Sequence, residues 1–114
     1  MGAGYILCSG SMERIRLMAS KIGADSALQQ VKGWVAGPGE RDTIKKTFKF
    51  SDFKTAWAFM SATALKAEAM DHHPEWFNVY NKVDVTLTTH DVDGVSAKDV
   101  ELARFMDAFA AMLG

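Results

Sequence analysis

All three histidines of this 114-residue chain, His72, His73 and His90, fall in one nineteen-residue window, and carboxylates crowd the same stretch. Glu68 and Asp71 stand ahead of the run His72-His73-Pro74, Asp91 follows His90, and Asp99 comes eight residues later. Imidazole is the one side chain whose unperturbed pKa lies close to neutrality, so it gives and takes protons under ordinary conditions. Histidines beside carboxylates are therefore equipment for general acid and base catalysis. His72 and His90 are the candidate pair. His73 is placed to orient or hydrogen-bond a ligand, and Glu68, Asp71 or Asp91 can hold a protonated imidazole.

Each of these residues also has a plainer reading. Asp99 lies three residues after Ser96, the spacing of a capping box at a helix start, so its first role is structural and a part in the site is secondary. Glu68 can be a solvated charge in a last helical turn. Trp76 and Tyr80 read first as core residues, with Trp76 also able to wall a flat ring. Three histidines raise the question of zinc, whose catalytic sites take three nitrogen or oxygen ligands. Adjacent side chains on extended backbone point to opposite sides, however, so His72 and His73 would chelate one ion awkwardly. The expectation is a site with no metal and no other cofactor.

The surrounding elements must hold these groups. Ile15, Met18, Ala19 and Ile22 recur at helical spacing and predict a short helix ended by Gly23. A second short helix is expected over 25–32, capped by Asp25 or Ser26 and closed by Gly33. Trp34-Val35-Ala36 reads as a strand, Gly37-Pro38-Gly39 as a turn, and Thr43 to Phe50 as a second strand with Ile44, Phe48 and Phe50 on one face. Ser51 or Asp52 can cap a long helix whose apolar stripe is Phe53, Ala56, Trp57, Met60, Ala64 and Ala67. Pro74 disfavours helical geometry for His73, so this helix should stop near Met70 or Asp71.

The histidine pair then sits on a helix-to-strand corner, where a rigid scaffold can display an exposed connection. Trp76 to Tyr80 and Lys82 to Thr89 predict a hairpin turning at about Asn81, with Val83, Val85 and Leu87 on the buried side and His90 as the strand ends. Asp93-Gly94 turns the chain, and Ser96 starts a last helix with the stripe Leu102, Phe105, Met106, Phe109 and Leu113. The expected fold is α+β: one four-stranded antiparallel sheet with helices packed on one face, in the order α-β-β-α-β-β-α. Residues 12–114 form one domain. Residues 1–11, containing Gly10-Ser11 before Met12, are expected to be disordered or tag-derived.

Composition narrows the function classes. The apolar share of 48% and charged share of 24% are those of a globular domain. Thirteen basic and fourteen acidic residues leave a charge of −1, with no electrostatic footprint for nucleic acid or an anionic membrane. No apolar run approaches the roughly 20 residues of a membrane span. One cysteine, Cys8, excludes an internal disulfide and suits a reducing compartment, so a cytoplasmic location is expected, with the nucleus also open.

The stretch Glu68-x-x-x-His72-His73-Pro74, then Tyr80, His90 and Asp99 at fixed spacing, resembles the signature of the pterin-4a-carbinolamine dehydratase family, also called the dimerisation cofactor of hepatocyte nuclear factor 1 family. The run from Asp71 to Val83 is similar to animal members, as is Thr88-Thr89-His90-Asp91. Gly33-Trp34, Phe48-Lys49-Phe50 and Phe53-x-x-Ala56-x-x-Phe59-Met60 fit the same pattern. The likeness runs from about Gly33 to Phe109.

That resemblance implies a sandwich of a four-stranded antiparallel sheet and helices. It implies dehydration of 4a-hydroxytetrahydrobiopterin to the quinonoid dihydropterin without a metal, recycling the cofactor of aromatic amino acid hydroxylases. Catalysis would fall to His72, His73 and His90. The substrate would be bound by Glu68, Asp71, His72, His73, Pro74, Trp76, Thr89, His90, Asp91 and Asp99. The resemblance further implies a homo-oligomer, a dimer or a tetramer built from dimers. The alternative it carries is a binding module that acts as dimerisation cofactor for a transcription factor, touching no nucleic acid itself.

Overall fold

Alternation of apolar and polar residues builds the centre of the sheet. In the computed structural model, which describes residues 20–114, β2 (Ile44–Lys49) and β4 (Lys82–Leu87) pair antiparallel, placing Ile44 opposite Leu87 and Phe48 opposite Val83. Ile44, Phe48, Val83, Val85 and Leu87 are all buried on one face, as their period of two requires. β1 (Val35–Ala36) and β3 (Glu75–Val79) complete the edges, giving the antiparallel order β1-β2-β4-β3. The other face carries Lys45, Thr47, Asp84 and Thr86, together with exposed Phe77 and Val79.

Three helices cover the apolar face: α1 (Ala24–Leu28), α2 (Phe53–Met70) and α3 (Ala97–Leu113). The α+β order is the expected one. Asp52 caps α2 by accepting the backbone N–H of Thr55 at 2.9 Å, and Ser96 with Asp99 forms a complete capping box on α3. Phe59 stands at the core's centre, 4.7 Å from Phe48 and 5.0 Å from Phe50 between ring centroids. Among the described residues, no helix is long and apolar enough to cross a membrane.

Several expectations change. The predicted helix over 15–22 and the predicted character of residues 1–11 lie largely outside the described residues. Where that helix would end, Lys21 instead bridges Ser96, and the N–H groups of Ile22 and Gly23 both donate to Val95 O. Gly23, at φ 89°, precedes α1 rather than closing a helix. α1 is shorter than the predicted 25–32, and no side chain of its own caps it. Asp42 does so from afar, its Oδ1 accepting Ala24 N at 3.1 Å while its Oδ2 accepts Val95 N at 2.8 Å.

The stripe of α2 is also rotated. Ala56, Phe59, Thr63 and Ala67 are buried, whereas Phe53, Trp57 and Ala64 are exposed, with Phe53 and Trp57 stacked on each other. The helix is so rich in alanine and other apolar residues that several stripes fit its sequence, and packing against α3 and the sheet selects one. In the β3–β4 hairpin the left-handed residue is Tyr80, at φ 49°, not Asn81. Asn81 is committed elsewhere: its side-chain amide donates to Phe50 O and its main-chain carbonyl accepts from Phe50 N, tying the turn to the end of β2.

Truncation at the core's centre gives a direct measure of this packing. Phe59→Ala should lower the unfolding free energy by about 3–5 kcal/mol in a urea titration. A loss below about 1 kcal/mol would place the core elsewhere.

Candidate active site

The end of α2 creates the first wall. Asp71 turns the chain at φ 52°, and the N–H of His72 reaches back to Ala67 O at 3.0 Å, closing the last helical turn. Pro74 cannot continue the helix, so His72 and His73 leave it and Glu75 opens β3. Because Glu75 pairs with Thr86 of the neighbouring strand, the continuation of β4 runs beside this corner. That continuation ends the strand at Leu87. His90 therefore starts a 3₁₀ turn, His90–Val92, rather than finishing a strand, and Asp93 closes it in left-handed geometry.

Between the two corners lies an open cavity of about 320 Å³. His72, His73 and His90 all line it, with Asp71, Pro74, Thr89 and Asp91. Glu75, Thr88 and Lys98 complete the lining. The volume is at the small end of the range for ligand pockets.

His72 is the buried member. Its Nε2 lies 2.5 Å from Asp99 Oδ1, and Asp99 is wholly enclosed. The other carboxylate oxygen accepts the N–H of Ser96 at 2.9 Å and the hydroxyl of Thr89 at 2.8 Å. Thr89 has one hydroxyl proton and gives it to Asp99, so the Ser96 hydroxyl, 2.7 Å away, must donate to Thr89. Ser96 Oγ in turn accepts the N–H of Lys98. With Asp99 accepting, the proton of a neutral His72 belongs on Nε2, which leaves Nδ1 as the nitrogen available to a ligand.

The other two imidazoles are held at the surface. His73 Nε2 lies 2.9 Å from Glu68 Oε1, with both side chains mostly exposed. His90 Nε2 lies 3.4 Å from Glu75 Oε2, and 75% of its side chain is exposed. Glu75 is gripped by both nitrogens of the Arg41 fork, at 2.6 and 3.1 Å. The hydrogen bonds from Arg41 hold the Glu75 carboxyl below the usual carboxylate range, outweighing the cost of desolvation, with the charges of Arg41 and His90 adding smaller effects in the same direction.

Of the three carboxylates expected to hold an imidazole, Glu68 alone does so among the described residues. Asp99, the helix cap, holds His72; Glu75 approaches His90; and Glu68 serves His73. Asp71 and Asp91 line the cavity, and neither bonds an imidazole among the described residues. Trp76 is absent from the lining and packs half-buried against the core. Thr88, Glu75, Lys98 and Arg41 were not anticipated. Two carried a local signal: Glu75 directly follows Pro74, and Lys98 falls in the first turn after the capping serine. Arg41 comes from a loop 34 residues before Glu75, and nothing nearby in sequence marks it. Among the described residues, no group of three histidine, cysteine, aspartate or glutamate side chains is arranged to hold a metal ion.

Comparison with known proteins points in one direction. A family model described as Pterin 4 alpha carbinolamine dehydratase matches residues 17–109. A Burkholderia multivorans protein named as a pterin-4-alpha-carbinolamine dehydratase is 56% identical over 84 residues, covering 74% of this chain and 81% of the relative. A Burkholderia cenocepacia protein of the same name is 55% identical over the same span. The crystal structure of a transcriptional coactivator/pterin dehydratase from Brucella melitensis superposes with a TM-score of 0.72 at 51% identity, covering 75% of this chain and 90% of that one. A pterin dehydratase-like protein identified as a RuBisCO assembly factor in the alpha-carboxysome shares the fold, with a TM-score of 0.60 at 23% identity.

The Arg41–Glu75 pair makes stability depend on pH in a stated direction. Glu75 titrates lower in the folded chain than in the unfolded one, so its contribution is complete above the unfolded value, about 4.3, and fades as pH falls through the folded value. Glu75→Gln should therefore melt slightly below the parent at pH 7, and the gap should close as pH drops below about 4. A gap that is constant across this range would contradict the pairing.

Proposed function

The chain belongs to the pterin-4-alpha-carbinolamine dehydratase family, and from that membership we propose that it removes water from a 4a-hydroxytetrahydropterin by histidine acid–base catalysis. The observation that carries this reading is the meeting of three imidazoles at one small cavity, one of them locked by a buried carboxylate. In the reaction the bond between carbon 4a and its hydroxyl oxygen breaks and the oxygen leaves as water after taking a proton. A ring nitrogen loses a proton and a carbon–nitrogen double bond forms, giving the quinonoid dihydropterin. One acid and one base suffice, each worth about 10²- to 10⁴-fold.

His72 suits the base. Its Nε2–H is directed at Asp99, so Nδ1 takes the ring proton, and the enclosed carboxylate then faces the imidazolium that forms, as in a serine-hydrolase triad. His90 suits the acid: it stands at the solvent side of the cavity and recovers its proton from water after each turnover. His73, held by Glu68, hydrogen-bonds the pterin. Pro74 fixes the corner, and Asp71 and Asp91 offer acceptors to the amino and ring N–H groups of such a heterocycle. Thr89 acts through Asp99, since its hydroxyl is already committed there.

Reduction of the quinonoid product by a separate two-electron donor returns the tetrahydropterin that an aromatic amino acid hydroxylase uses, and the setting is the cytoplasm. A homo-oligomer is favoured by Phe53, Trp57 and Leu65, large apolar residues left exposed on α2. The same residues favour a second reading as a binding module, in keeping with the double name of the Brucella melitensis structure. In that case a helical partner would cover α2, and histidine variants would bind it unchanged.

His72→Ala and His90→Ala should each lower the rate of dihydropterin formation from freshly made 4a-hydroxypterin by about 10²-fold or more with the fold intact by circular dichroism. Full activity in the double variant would refute the assignment. Asp99→Asn, which can still accept at one oxygen but presents an amide to the other donors, should reduce kcat more than it changes KM.

A further inference from the structure

His90 has an anchoring problem that His72 does not share. It begins a three-residue turn on an exposed connection, and its one ionic neighbour among the described residues is Glu75. Glu75 is itself a long, partly exposed side chain, unable by itself to define where an imidazole sits. Its two oxygens, however, are both occupied by the planar fork of Arg41. Bidentate pairing fixes direction as well as distance.

Arg41 is in turn held from behind by its neighbour. Asp42 accepts hydrogen bonds from Ala24 N and Val95 N through its carboxylate, and from the Thr88 hydroxyl through its main-chain oxygen. Thr88 stands two residues before His90 and lines the same cavity. The backbone bearing Arg41 and the backbone bearing His90 are therefore tied to each other, and Glu75 spans the gap between their side chains. Arg41 itself is not part of the cavity lining. Exposed ion pairs of this kind add little to folding, so their use here is orientation rather than stability.

We propose that Arg41, acting through Glu75, is a positioning residue that sets the His90 imidazole at the mouth of the cavity. This rests on the reading of His90 as the catalytic acid. A proton donor displaced by an ångström can lose about 10²-fold in rate, so partial loosening should be felt in turnover before binding.

The test combines kinetics with an observation independent of activity. Arg41→Ala should lower kcat about tenfold, well inside that bound, with KM within about twofold. Arg41→Lys, which keeps the charge but not the fork, should restore only part of the loss. In a His90→Ala background the Arg41→Ala change should cost nothing further, because the group it positions is gone. The chain has three histidines, so the His90 ring signals are identified in a proton–carbon correlation spectrum by their loss in His90→Ala. In Arg41→Ala those signals should move toward their positions in Glu75→Ala. An unmoved His90 resonance, an unchanged kcat, or an equal loss with and without His90 would overturn the proposal. A fully active His90→Ala would instead remove the catalytic reading, while the resonance would still decide whether Arg41 holds the ring.

Discussion

One enclosed carboxylate organises this end of the molecule. Asp99 receives a ring nitrogen from the α2–β3 corner, a hydroxyl from the segment after β4, and a backbone N–H from the start of α3. Three separate stretches of chain therefore meet at one side chain. A buried charge without partners is expensive, and satisfied on all sides it becomes a strong constraint on geometry. The depth of His72, the direction of its proton and the first turn of α3 all follow from where Asp99 sits.

The two sides of the cavity obey different physics. On the inner side the three donors that face Asp99 are all accepted by its two oxygens, and the arrangement cannot slip without leaving a polar group unsatisfied. On the outer side His73 and His90 stand in water with single carboxylate neighbours, where pairing is weak and must be reinforced by geometry. Such a contrast gives one imidazole a fixed tautomer and another free exchange with solvent. Acid–base chemistry at a flat heterocycle calls for both.

Much of this was legible in the residues themselves. Val83, Val85 and Leu87 declared a one-sided strand, Asp52 and the Ser96–Asp99 box declared helix starts, and Pro74 marked the corner. These signals are local, written within a few residues of the feature they specify. The cavity's histidines were legible as candidates because imidazole alone titrates near neutrality without perturbation. What escaped was non-local. The cap of α1 comes from Asp42, eighteen residues away, and the partner of Glu75 comes from a loop on another strand connection. The face of α2 was ambiguous because its apolar residues surround the helix, and in the hairpin it is Tyr80 that takes left-handed geometry while Asn81 bonds Phe50 across the fold. In each case a contact across the fold overrode a preference along the chain.

The capping box of α3 has a corollary for how this position can vary. At most helix starts the third residue is replaceable, since glutamate, glutamine or a bare N–H exposed to water would serve nearly as well. Here the shorter acidic side chain also has to end at a set depth beneath His72, with both oxygens spoken for. A longer acid would overshoot and an amide would offer a donor to a donor. The sequence has no synonym for aspartate at this point, although the helix alone would accept several.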